Sequence, residues 1–186
     1  MNGDPSKILD AIYREIGFFL TTFAQYEAGI YRLYEDYLGL SNPVVRALVG
    51  DSRWPDVQRT FKRVMVAKKA SKEALEIWEY ILKRERELRP FRDLCAHYPA
   101  HGSIGENGVV FIEFAGEINP NNKNPEPWEH IPLEEFKRCW GAVSWLSMRV
   151  RYHLQPTLEG QSVSADLLEQ TFGPWPQLPA LRRANR

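Results

Sequence analysis

The sequence predicts an all-α protein, an up-and-down helical bundle of about four main helices with a small β-hairpin insertion. Apolar residues recur every three or four positions along long segments, as they do on the buried face of an amphipathic helix. One stretch near residue 110 instead places β-branched and aromatic residues behind a Gly/Asn turn, which is typical of a hairpin. The length of 186 residues fits one domain with a tail.

The first long helix is predicted over residues 5–40. Asp4 or Ser6 can cap its start, and Pro5 suits a first helical turn. Gly39 is expected to end it. The apolar stripe consists of Ile12, Ile16, Phe19, Phe23, Tyr26, Ile30, Leu33 and Tyr37.

A second long helix is predicted from Trp54-Pro55 to about Leu88, after a short helix or turn at residues 44–53. Pro90 disfavours a helical conformation of the residue before it, so a separate short helix should begin there and cover residues 90–98. The stripe of the second helix consists of Val57, Phe61, Val64, Ser71, Leu75, Trp78 and Leu82. Two such long stripes suggest helix pairing, either across a dimer or inside one bundle.

The hairpin is predicted within residues 105–114, and the Pro/Asn-rich residues 118–132 are predicted to form a loop. A third long helix follows Pro132, with Phe136, Trp140, Val143, Ser147, Val150 and Leu154 on one face. The helical bundle domain is therefore predicted over residues 5–154. Residues 155–186 are interpreted as a C-terminal tail that contains a short helix.

Composition limits the functions to consider. The chain has 24 Lys+Arg and 24 Asp+Glu, which argues against a uniformly basic nucleic-acid coat. It shows no apolar signal core and no run of about 18 apolar residues, so we expect a cytoplasmic protein without a membrane partner. Cys95 and Cys139 give no disulfide framework, and Cys95, His97 and His101 match no trusted metal-ligand spacing. No cofactor is expected.

The chemistry-bearing segment is Arg92-Asp93-Leu94-Cys95-Ala96-His97. An arginine is a permanent cation that can bind a phosphate through two N–H groups, and a histidine can move a proton near neutral pH. Together they suit metal-independent RNA cleavage, in which a base removes the 2′-hydroxyl proton and a cation stabilises the charged transition state.

This segment resembles the motif of the HEPN superfamily: an arginine, a polar residue (here Asp93), a few further residues and a histidine. The resemblance extends over about residues 8–153. It implies an all-α bundle that dimerises, with two copies of Arg92 and His97 meeting at the dimer interface. Many HEPN proteins are ribonuclease toxins or RNA-cleaving defence proteins, so it also implies RNA as the substrate and a neutralising or other partner protein.

Helix geometry suggests separate roles for the three polar residues. Asp93 and His97 lie at positions i and i+4 and share a helix face, so Asp93 is expected to orient the imidazole and fix its tautomer. Arg92 would lie in the first turn of the predicted short helix, where backbone N–H groups favour a phosphate. The alternative is a surface Arg92–Asp93 pair with a structural His97.

A run of cations without an intervening acidic residue is the best local basic surface in the sequence. It is predicted to follow an RNA backbone through counterion release, and the alternative is a solvated helix face. Tyr98, beside His97, is the candidate for stacking on a base. The predicted RNA-binding residues are Arg59, Lys62, Arg63, Lys68, Lys69, Lys72 and Tyr98.

Three hypotheses follow from the sequence. The first is a HEPN-like endoribonuclease with Arg92, Asp93 and His97 as catalytic residues. The second is a non-catalytic, dimeric HEPN-like module that binds RNA, a nucleotide or a protein. The third is a structural helical protein in which the motif is accidental.

Overall fold

The protein is described from a computed structural model, covering residues 5–50, 52–105, 107–115, 127–161 and 163–179. The predicted all-α fold with a small β insertion is confirmed. In chain order the elements are α1 (Pro5–Leu38), α2 (Asn42–Val49), α3 (Trp54–Ala67), α4 (Lys72–His97), β1 (Ala100–Ile104), β2 (Val110–Ala115), β3 (Pro127–Pro132), α5 (Leu133–Arg149), a π-helical turn (Val150–Leu154), α6 (Gln155–Leu158) and α7 (Ala165–Phe172).

The first helix agrees closely with its prediction. α1 runs to Leu38, and every residue of the predicted stripe is buried except Tyr37, which is half-buried. Gly39 ends the helix with φ +69°, a left-handed conformation that glycine adopts without strain. Its N–H group donates to the carbonyl of Glu35 at 2.8 Å, which completes the last turn.

The prediction of one helix from residue 54 to residue 88 was wrong, because the chain turns between α3 and α4. The N–H of Ala70 donates to the carbonyl of Met65 at 2.9 Å, and the N–H of Lys69 donates to that of Val66 at 3.0 Å. These two bonds form a Schellman motif, which ends α3. Ser71 then caps α4 by accepting from the N–H of Ala74. The second stripe is therefore not one continuous helix surface.

The predicted helix boundary at Pro90 was also wrong. α4 continues through Pro90 to His97, so no separate short helix begins there. Leu88, Phe91 and Leu94 are buried at helical spacing and carry the packed stripe past the proline. Pro90 has no N–H group, so the carbonyl of Arg86 loses its helical hydrogen bond. Both Pro90 and Arg86 are exposed, so water can reach that carbonyl. Burial therefore overrides the local preference.

The insertion is a three-stranded antiparallel sheet in the order β1-β2-β3. The predicted hairpin is present, but its bounds were wrong: β1 lies before residue 105, at Ala100–Ile104, and Gly108 at φ +72° lies in the connection to β2. The predicted loop was wrong at its C-terminal end, because Pro127–Pro132 pairs with β2 as the third strand. Pairing with a neighbouring strand stabilises an extended segment that its composition alone does not favour. The rest of that loop, residues 118–126, lies outside the described residues.

The third long helix starts at Leu133, as predicted, but its regular α-helical part ends at Arg149. A π-helical turn follows and continues directly into α6. Phe136, Val143, Val150 and Leu154 are buried as predicted. Trp140, predicted on the buried face, is 40% exposed; Cys139, Ala142 and Leu146 take the buried positions instead.

The described chain divides into two compact units. The first takes its residues from within Met1–Phe23, Leu88–Val143 and Trp175–Arg186, and includes the end of α4 and the sheet. The second takes them from Ala24–Glu87 and Ser144–Pro174, and includes α2, α3, the π-helical turn, α6 and α7. Within the described ranges, no helix combines the length and apolar character needed to cross a bilayer.

Candidate functional site

The predicted motif occupies the last two turns of α4, in the first unit. Phe91 and Leu94 are buried, so they hold this end of the helix against the core. His97 is exposed, whereas the side chains of Arg92 and Asp93 are 32% and 49% exposed. The helix therefore presents its cationic, acidic and titratable side chains to solvent and keeps its apolar ones inside.

The position of the motif along the helix corrects one expectation. Arg92 was expected in the first turn of a new helix, beside N–H groups that favour a phosphate. Because α4 continues through Pro90, the motif lies at a helix C-terminus, where unsatisfied carbonyl groups favour cations and disfavour anions. Any phosphate bound here would have to be held by side chains rather than by the helix backbone.

Asp93 pairs with Arg92. Its Oδ1 atom accepts from Nη1 of Arg92 at 3.3 Å. The expected partner was His97, for which the described residues provide neither a hydrogen bond nor an ion pair. The imidazole is therefore accessible, and the guanidinium is held by a neighbouring carboxylate.

The two thiols are not reactive groups of this site. Burial raises the pKa of Cys95 to about 12, and burial together with the neighbouring Cys95 raises the pKa of Cys139 further. Both remain protonated thiols near neutral pH, and a protonated thiol is a weak nucleophile and a poor metal ligand. Among the described side chains, no group of three His, Cys, Asp or Glu residues is arranged to hold a metal ion.

The predicted basic surface lies in the second unit, and carboxylates neutralise much of it. Three cations form ion pairs: Arg59 with Asp56 at 3.3 Å, Lys62 with Glu79 at 2.5 Å, and Lys72 with Glu76 at 3.5 Å. Lys68 donates to the carbonyl of Tyr37 and lies 4.8 Å from the centre of its ring. Arg63 and Lys69 are exposed. Tyr98, in the first unit, is half-buried, which leaves its predicted stacking role open.

A second polar cluster, on the outward face of the sheet, was not predicted. Glu113 on β2 lies opposite His101 of β1 and His130 of β3, and it hydrogen-bonds to His130. Ser103 lies 3.3 Å from Nε2 of His130. Burial would raise the pKa of Glu113, but hydrogen bonds from Ser103 and His130 and the proximity of His101 lower it. The sequence could not reveal this cluster, because recognising side chains on neighbouring strands requires the strand register and the presence of the third strand.

A third cluster, in the second unit, surrounds the guanidinium of Arg149, whose side chain is 6% exposed. Its Nη1 atom lies 3.0 Å from Nδ1 of His153, and its Nη2 atom lies 3.4 Å from Oε1 of Glu169 on α7. The rings of Trp145 and Tyr80 flank it, with centroids at 4.4 and 5.8 Å. The i, i+4 spacing of Arg149 and His153 is visible in the sequence and was the signal available for this cluster.

Comparison of the chain with protein-family models, with curated proteins and with solved structures gave no match. The function must therefore be inferred from the side chains and their placement.

Proposed function

We propose that this protein is a HEPN-like, metal-independent endoribonuclease with Arg92 and His97 as catalytic residues. One observation carries the proposal: the last two turns of α4 expose His97 and leave Arg92 partly exposed, while Phe91 and Leu94 of the same turns are buried. An accessible imidazole and a permanent cation at the same end of one helix are the groups that supply the two functions required for cleavage through the 2′-hydroxyl.

In the proposed reaction, His97 removes the proton of a ribose 2′-hydroxyl. The 2′-oxygen then attacks the adjacent phosphorus, and the bond from phosphorus to the 5′-oxygen breaks. The leaving oxygen takes a proton from a second acid, for which a histidine of a second subunit is suited. The products are a 2′,3′-cyclic phosphate and a 5′-hydroxyl. Arg92 stabilises the negative charge that accumulates on the phosphoryl oxygens.

Asp93 has a different role here from the one expected from the sequence. Because its carboxylate binds Arg92, it positions the guanidinium rather than the imidazole. A fixed guanidinium loses less side-chain entropy when it binds a phosphate. Asp93 also lowers the net positive charge, so we expect weaker ground-state RNA binding than from an isolated arginine.

Two subunits would complete the site. Residues five apart on a helix differ by about 140° in direction and about 7.5 Å along the axis. Arg92 and His97 of one helix therefore point to different sides, and a two-fold axis near the end of α4 would bring Arg92 of one copy towards His97 of the other. A cytoplasmic location, a toxin or defence role and a neutralising partner protein belong to the same proposal.

The test is cleavage of a labelled RNA in excess chelator by the wild type and by the variants Arg92→Ala and His97→Ala. We expect both variants to lose at least about a hundredfold in rate, which is typical for removal of an acid–base or charge-stabilising group. His101→Ala is the matched control, because His101 is an exposed histidine four residues after the motif. Equal cleavage by all four proteins would refute the proposal. Detection of the cyclic phosphate would identify the reaction type.

A second candidate is a non-catalytic HEPN-like module that binds RNA, a nucleotide or a protein. The pairing of Arg92 with Asp93 favours it, because the guanidinium already has an anionic partner. So does the location at a helix C-terminus, which disfavours phosphate. This candidate predicts salt-dependent RNA binding or a stable protein complex without chelator-resistant cleavage, so the same assay with a binding measurement separates the two.

A further inference from the structure

The buried cluster around Arg149 is independent of the motif on α4 and of the proposed cleavage reaction. An arginine side chain that is 6% exposed has lost nearly all its hydration, which is unfavourable for the charge unless anions and hydrogen bonds replace the water. Here the anion is the carboxylate of Glu169, at 3.4 Å. That distance is long for a charge-assisted hydrogen bond, which is normally about 2.7–2.9 Å.

The pair is also asymmetric in exposure. Glu169 is 55% exposed, whereas Arg149 is buried. An ion pair stabilises a fold when its geometry is close to ideal, as in a bidentate arginine–carboxylate pair, and when further hydrogen bonds offset the lost hydration. Glu169 instead makes one long contact, with Nη2 of Arg149, and more than half of its side chain is open to solvent.

The other neighbours of Arg149 fix its position. Nη1 donates to Nδ1 of His153, so the imidazole is neutral and carries its proton on Nε2. Burial and the charge of Arg149 lower the pKa of His153, which keeps the ring in this form. Trp145 and Tyr80 flank the guanidinium. The cation is therefore preorganised, and its Nη2 edge faces α7.

α7 is a short helix with a glycine on each side. It has eight residues, a length at which a helix is marginal on its own. Gly160 and Gly173, with φ of +82° and +76°, precede and follow the segment. Besides the Glu169 contact, Nε1 of Trp145 donates to the carbonyl of Gly173 at 3.0 Å. Asp166, Leu167 and Gln170 are exposed.

We propose that Arg149, held by His153, Trp145 and Tyr80, is a binding site for a phosphate group, and that Glu169 of α7 occupies this site when no ligand is bound. A phosphate offers three oxygens and more charge than a carboxylate, so it would make shorter bonds with the Nη2 edge than Glu169 does. Binding would release Glu169 to solvent, where it is already half-exposed.

The test is isothermal titration of the wild type and of Glu169→Gln with inorganic phosphate and with adenosine 5′-monophosphate. Removing the competing carboxylate is expected to tighten binding at least about tenfold, because an internal occupant present in about nine of ten molecules lowers the apparent affinity by that factor. Asp166→Asn is the matched control, since it removes the same charge from an exposed position on the same helix. Adenosine, which lacks the phosphate, is expected not to bind.

The two phosphate probes distinguish the source of the group. Tighter binding of the nucleotide than of inorganic phosphate indicates a nucleotide ligand, and equal binding indicates free phosphate; either outcome supports the site. Binding should be lost in the double variant Arg149→Gln/Glu169→Gln. If Glu169→Gln binds neither probe more tightly than Asp166→Asn does, or if a folded double variant still binds, the proposal is wrong. The comparison of Glu169→Gln with Asp166→Asn changes only exposed side chains, so it remains decisive even if the double variant does not fold.

Discussion

Replacing Lys69 with glycine is expected to stabilise the protein. Lys69 adopts φ +57° in the Schellman motif that ends α3, at the position where helices most often use glycine. A left-handed conformation costs a residue with a Cβ atom roughly 1–2 kcal/mol, and glycine does not bear this cost. The exposed side chain of Lys69 contributes little packing that the substitution would remove.

The net effect is smaller than the strain that is relieved. Glycine also increases the conformational entropy of the unfolded chain, which lowers stability by about 0.4–1 kcal/mol. The difference leaves a gain of about 0.5–1 kcal/mol, which for a chain of this size raises the melting temperature by roughly 1–4 °C. Urea denaturation should show a higher midpoint with an unchanged slope.

Lys69→Ala is the control for this prediction. It removes the same side-chain atoms but keeps the Cβ atom, so it does not relieve the backbone strain. We expect its stability to stay within about 0.5 kcal/mol of the wild type. If Lys69→Gly proves no more stable than Lys69→Ala, the left-handed turn does not carry the expected strain and the reasoning fails.

The remaining predictions concern the sheet, the π-helical turn and a glycine of α5. Because hydrogen bonds lower the pKa of Glu113, the stabilisation by its carboxylate is present above about pH 4.5 and is lost as the pH falls through the folded-state pKa. The wild type should therefore have a higher melting temperature than Glu113→Gln at pH 6, and the difference should close by pH 3. Because the pKa of His153 is lowered, the unfolded chain binds a proton that the folded protein does not, so denaturation experiments should show wild type losing more stability than His153→Gln between pH 7 and pH 5. Gly102→Ala should lower the free energy of unfolding by about 1–2 kcal/mol, since its Cβ would lie 2.6 Å from Cδ1 of Ile12, whereas Gly141→Ala, with open space inside α5, should raise it by about 0.5–1 kcal/mol.

The outcomes of the sequence predictions follow from how local each signal is. The stripe of α1 and the stop at Gly39 depend on residues within one helical turn of each other, and both are confirmed. The break after Ala67 depends on a lysine adopting a conformation typical of glycine, which composition does not reveal. Pro90 disfavours a helical residue before it, but the burial of Phe91 and its neighbours outweighs this local preference, and the helix continues.

The candidate functional site likewise has features that local sequence predicts and features that only tertiary contacts determine. The sequence alone suggested Arg92, Asp93 and His97 as candidate catalytic residues, because residue types and spacing are local properties. Tertiary structure decided that they lie at a helix C-terminus, that Asp93 binds Arg92, and that acidic residues from α3 and α4 pair with the predicted basic surface. It also joined Glu113 to His130 and Glu169 to Arg149. Helical periodicity fixes which face of a helix is buried, whereas strand register and contacts between distant segments depend on the packing of the whole chain.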